Sequence, residues 1–264
     1  VEPYNNQPDL YPDMVGAHGV SADSPAPLNA DLWEGAWIPT FELVGEIAAD
    51  NPGLAGFHMD LELYGGPVWH HDGWAFSEDT LEAYLATVDD EELATTLRET
   101  GAGSRLEALV DGGLLGDYFA ALEAAAAAIG ERCREAARAS APELEITVYV
   151  PGYPNTWFYR GLLRGLGAPD RPVVVLSYDG WAGHATDVLW NEGIDLAHLG
   201  GTIVGHFEPA QLEEVLVSLA TGNDGYWYFL FNDFSVTNPD PPDLHGRSRE
   251  YWDAVDRANA RIAE

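Results

Sequence analysis

Apolar and polar positions along the chain alternate between two periods, and the switches between them predict the elements. Short β-branched or apolar runs occur at Ile146–Val150, Val173–Ser177, Thr202–His206 and Tyr226–Phe231, with a further run at Leu54–Leu63 launched by the turn Asn51-Pro52-Gly53. Between and around them lie stretches with helical spacing: 32–50, broken at Pro39, then Trp157–Leu166, Asp187–Glu192, Pro209–Ala220 and a charge-laced Arg247–Ala263. Residues 1–31 are rich in Pro, Asn, Asp and Gly and carry one short candidate strand at Met14–Val20. The segment 64–144 is too long for one crossover. It reads as an aromatic loop, a cap-like Ser77-Glu78-Asp79 and then several helices reaching Ala139.

Continuous apolar strands alternating with helices imply a parallel sheet with covered faces. Past Ile146 the strands recur every 25 to 30 residues or so, a spacing suited to right-handed βαβ units. Polar and aromatic residues collect just after each strand, as in Asp60-Leu61-Glu62, Pro151-Gly152-Tyr153, Tyr178-Asp179-Gly180-Trp181, Phe207-Glu208-Pro209 and Asn232-Asp233-Phe234. A barrel gathers all such loops at one mouth. The absence of a GxGxxG or Walker loop removes the main support for a nucleotide-binding open sheet. The expected fold is therefore α/β: a TIM-type (β/α) barrel in one domain spanning 1–264, incomplete or irregular towards its N-terminal side, with a helical insertion at 64–144.

Charge narrows the function classes. The 264 residues include 44 acids and 12 bases, all of the bases Arg, for a formal net charge of −32. A body this negative repels phosphate backbones and anionic lipids, so neither nucleic acid nor membrane is an expected partner. Lys-free, carboxylate-rich composition suits a protein of a high-salt organism, where screening makes such self-repulsion tolerable. The single Cys133 excludes an intrachain disulfide and a Cys-based zinc site, and its helical setting is that of an inert thiol. The start carries no charged segment followed by an apolar one, so no signal peptide is expected within the chain.

The chemistry-bearing stretch is Gly56-Phe57-His58-Met59-Asp60-Leu61-Glu62. Period two sends His58, Asp60 and Glu62 to one face of a strand and Phe57, Met59 and Leu61 to the other. Ionisable groups in a row on an inner face are costly unless paired or used. A carboxylate beside another raises the second one's pKa, which makes a general acid. Asp60 is spaced to do this for Glu62, and a second carboxylate across the mouth would act as nucleophile or base. Glu208 is the first candidate, followed by Asp179 and Asp233. Nine Trp and 12 Tyr supply rings for stacking on sugar C–H faces. Those at loop starts are Trp69, Trp74, Tyr153, Trp157, Tyr178, Trp181 and Trp227, of which Tyr153, Trp181 and Trp227 are the expected stacking walls, while Tyr178, His58 and His206 are placed to orient substrate or carboxylates.

The strand end Asp60-Leu61-Glu62 resembles the last part of the D-G-x-D-x-D-x-E motif of family 18 chitinase-like β/α-barrel glycoside hydrolases. Tyr178-Asp179 is similar to that family's Tyr-Asp pair. The resemblance implies Glu62 as general acid and Asp60 as its partner, with Tyr178-Asp179 near the substrate. Ala55 and His58 stand where the family has its first two Asp. The broad expectation is a cofactor-independent, sugar-cleaving barrel acting on a carbohydrate through a carboxylate pair. Two other classes fit the same residues. His58 with Asp60 and Glu62, and His206 with Glu208, would suit a divalent-metal hydrolase or isomerase. A barrel short of strands would suit a non-catalytic carbohydrate-binding protein.

Overall fold

The computed structural model describes residues 10–61, 73–150, 156–178, 188–229 and 248–264. Strands β1 (Asp13–Val15) and β2 (Ser21–Pro25) form an antiparallel hairpin where one strand was expected. A helical segment follows as α1 (Ala30–Leu32), a π-helical turn (Trp33–Trp37) and α2 (Ile38–Asp50). Asn29 caps α1 by accepting from the Leu32 amide at 2.9 Å. Pro39 does not break this helix, contrary to the expectation from sequence. It falls in the first turn of α2, and the wider π turn ahead of it carries the Ile38 amide back to the Trp33 carbonyl.

Five parallel strands make the main sheet: β3 (Gly56–Asp60), β4 (Glu145–Tyr149), β5 (Val173–Tyr178), β6 (Leu196–Ile203) and β7 (Gly225–Phe229). They are hydrogen-bonded in chain order, each to the next, with no reversal. An open doubly wound sheet reverses direction at a switch point; this one steps the same way every time and curls into a half-barrel. Among the described residues the sheet has five strands, fewer than the eight of a complete barrel. The sequence reading placed the fourth of these at Thr202–His206, whereas β6 runs from Leu196 to Ile203 and Val204–His206 is a 3-10 turn. Gly200 and Gly201 interrupt its apolar pattern and conceal the strand.

Four helices fill the insertion between β3 and β4: α3 (Glu78–Leu85), α4 (Glu91–Glu99), α5 (Ala102–Asp111) and α6 (Leu115–Ser140). α6 has 26 residues, about 39 Å of helix, and buries a stripe through Tyr118, Leu122, Ala126, Gly130, Cys133 and Ala137 at spacings of three and four. It packs on α2 and on α7 (Trp157–Leu166), forming the layer that covers one face of the sheet. Further along, α8 (Pro209–Gly222) and α9 (Ser248–Ile262) pack together over the β6–β7 end. The larger core cluster lies under α2, α6 and α7, and a smaller one joins Val204, Leu212 and Leu216 to Tyr251, Val255 and Ala258. Burial pushes the Cys133 thiol up to about 12, which leaves it protonated and inert. Among the described residues no single helix is long and apolar enough to cross a membrane.

Candidate functional site

Pairing register sorts the strand residues into two faces. Met59, Val148, Val175 and His198 lie side by side on the helix-covered face and are all buried. On the other, concave face, His58 neighbours Thr147, Asp60 neighbours Tyr149, and Tyr178, Gly201 and Trp227 form the next row. Phe229 follows Trp227 on the same face, two residues further along β7. In complete β/α barrels the converging loops place reacting groups at the C-terminal rim of this face.

The rings form one connected wall. Tyr178 and Trp227 have centroids 4.9 Å apart, Tyr149 meets them at 5.4 and 5.8 Å, and Phe229 stands 6.4 Å from Tyr178. Tyr149 is buried behind the others, Tyr178 and Trp227 are half-buried, and Phe229 is exposed. The Trp227 indole N–H donates to the Ser177 carbonyl at 3.1 Å, which holds the ring flat across β6. This is possible because residue 201 is glycine: a Cβ there would overlap the Trp227 ring.

Beside this wall stand His58 and Asp60. His58 Nδ1 lies 2.9 Å from Thr147 Oγ1, whose hydroxyl also donates to the Phe57 carbonyl at 3.1 Å. Desolvation lowers the His58 pKa from its ordinary value, and the Asp60 charge opposes the shift without cancelling it. Leu61, next in sequence, is buried on the opposite side. The fold thus places four of the residues singled out from sequence, His58, Asp60, Tyr178 and Trp227, on one face of the sheet, with Tyr149 both next to Asp60 in register and in contact with the Tyr178 and Trp227 rings. It adds Tyr149, Phe229 and Thr147, which period-two reading of β4 and β7 could have supplied. Glu62, Trp69, Tyr153, Asp179, Trp181 and Asp233 lie outside the described residues.

Three further residues expected at the site lie among the described residues. Glu208 is the N-cap of α8 in a capping box: its side chain accepts from the Gln211 amide, and the Gln211 side chain accepts from the Glu208 amide at 3.0 Å. That gives Glu208 a structural role at the start of α8. His206 is exposed in the preceding 3-10 turn. Trp74 is half-buried, with its indole carbons against Gly16 of the hairpin. Among the described residues no three His, Cys, Asp or Glu side chains converge as a metal site would need. A second hydroxyl–imidazole contact, Ser177 Oγ to His198 Nε2 at 2.7 Å, lies on the helix-covered face. With the two residues 1% and 3% exposed, it is a core hydrogen bond that no substrate reaches.

No protein-family model, curated protein or solved structure matches the chain.

Proposed function

We propose that the chain is a carbohydrate-active protein of β/α-barrel type that cleaves a glycosidic bond at the concave face. The reading is carried by one juxtaposition: the Tyr178–Trp227 pair beside the ionisable row His58 and Asp60 at the end of β3. Flat, half-wet rings suit the C–H faces of sugars. Carboxylates at the C-terminal end of a parallel strand suit proton transfer to the leaving oxygen. Glu62 takes the role of general acid, with Asp60, two residues before it, as its partner. With Glu208 committed to capping α8, Asp179 becomes the first choice for the opposing carboxylate. The five strands are read as part of a β/α barrel.

The test is Glu62→Gln, with Asp60→Asn beside it, assayed for release of reducing ends from a panel of oligosaccharides. Glu62→Gln should lower turnover by about a hundredfold or more with circular dichroism and sugar binding unchanged. Wild-type turnover in that variant would remove the acid from this assignment. The capping role of Glu208 also favours a second reading, a non-catalytic carbohydrate-binding barrel, because it withdraws one of the two carboxylates that hydrolysis needs. Wild-type protein that binds oligosaccharides but releases no reducing ends decides for that reading.

A further inference from the structure

We infer that His58 presents an unprotonated Nε2 to the concave face as a fixed hydrogen-bond acceptor for a hydroxyl of a neutral sugar, its tautomer set by Thr147. This rests on the carbohydrate reading above and narrows its substrate class. The assignment follows from counting protons. A threonine hydroxyl has one proton, and a backbone carbonyl oxygen can only accept. Thr147 Oγ1 lies 3.1 Å from the Phe57 carbonyl and 2.9 Å from His58 Nδ1; with its one proton assigned to the carbonyl, the same oxygen accepts at the His58 contact. The proton between them therefore belongs to His58 Nδ1. In the neutral ring the other nitrogen is then a lone pair.

The surroundings keep the ring neutral. The His58 ring is exposed on the concave face, and its packing against β4 desolvates it enough to disfavour the imidazolium, outweighing the attraction of Asp60 on the same strand. The other charged group on this face of β4, Glu145, is held by Arg171 at 2.7 Å. A neutral acceptor beside a carboxylate offers donors from sugar hydroxyls a partner and gives an anionic group none. At low ionic strength the net charge of −32 acts in the same direction by repelling uronates and sulfated sugars, an effect that salt screens. The substrate class this geometry selects is an uncharged, hydroxyl-rich glycan.

The experiment combines ¹⁵N imidazole spectra of the full chain with calorimetric binding. The probes are cellohexaose, xylohexaose, maltohexaose and chitohexaose, with oligogalacturonate as the charged control. The His58 signals should be those of the Nδ1–H tautomer at neutral pH, and Thr147→Val should shift them towards a tautomer mixture. His58→Asn keeps a donor at the Nδ1 position towards Thr147 and deletes Nε2. It should keep the melting temperature and lose about tenfold in affinity for whichever neutral probe binds. An Nε2–H tautomer in the wild type, wild-type affinity in His58→Asn, or tighter binding of oligogalacturonate than of any neutral probe overturns the inference and leaves the carbohydrate reading standing. If no oligosaccharide binds the wild type, the carbohydrate reading falls and takes the role of His58 with it.

Discussion

The two faces of the main sheet are built on opposite principles from the same five strands. On the helix-covered side, Met59, Val148 and Val175 are at most 1% exposed, and the helices above them approach each other backbone to backbone. On the concave side, the same strands offer an imidazole, a carboxylate and a wall of rings that are largely half-buried or exposed. Both faces use glycine for close approach, with different neighbours. Gly165 of α7 faces the Ala127 carbonyl of α6, part of a rigid helix, while Gly201 of β6 faces the ring of Trp227, a side chain that can turn. A packed face has one arrangement and loses stability when disturbed. A functional face loses recognition first.

Gly165→Ala should produce the largest effect. In an unencumbered helix interior the change would stabilise by about 1 kcal/mol. Here the new methyl would overlap the Ala127 carbonyl oxygen and crowd the Glu131 amide, and neither can move without parting α6 from α7. Overpacking of this kind costs about 3 kcal/mol, so the sign reverses. Urea denaturation would show it as a fall in midpoint at unchanged slope. A variant as stable as wild type would mean that the two helices are not in backbone contact.

Val148→Ala comes next. Its side chain is 0% exposed between Met59 and Val175, and loss of two buried methyls should cost about 2 kcal/mol in the same measurement. Sugar affinity should stay within about twofold, since residues 147 and 149, not 148, face the concave side. A large loss of affinity here would erase the distinction between the faces.

Val148 also shows why one half of the fold was legible and the other was not. Apolar alternation in Ile146 and Val148, and the stripe along Trp157–Leu166, are written directly in residue type, and β4, β5 and α7 stand where that pattern puts them. The start of β6 was not legible, because Gly200 and Gly201 carry no apolar signal. They are glycine for what lies over them, the Asn223 and Leu219 side chains on one face and Trp227 on the other. The same holds for the site. Residue type and spacing pointed to His58, Asp60, Tyr178 and Trp227. The diversion of Glu208 into a capping box depends on where α8 begins and on Gln211 three residues later. Ser/Thr/Asp/Asn-x-x-Glu/Gln is the usual sequence cue for a helix start, and a Glu in the first position does not give it.

Gly201→Ala is the smallest change in stability and the sharpest probe of the concave face. The added methyl would meet Trp227 Nε1 and the adjoining ring carbons, so the indole must tilt away and release its 3.1 Å hydrogen bond to the Ser177 carbonyl. That bond contributes about 1 kcal/mol. Replacing glycine by alanine in a strand recovers about 0.5–1 kcal/mol, so the net change in stability should stay within about 1 kcal/mol. Recognition is not compensated in this way. Tyr178 and Trp227 meet at 4.9 Å with their planes 37° apart, and an indole that swings away changes the surface which, on the carbohydrate reading, a sugar ring would contact. Oligosaccharide affinity should therefore fall by about tenfold, the equivalent of losing one good aromatic contact, while the indole N–H resonance of Trp227 moves in the NMR spectrum. The opposite pattern, a melting transition several degrees lower with affinity intact, would make Trp227 a packing residue like those under the helices and would move the binding wall off β7.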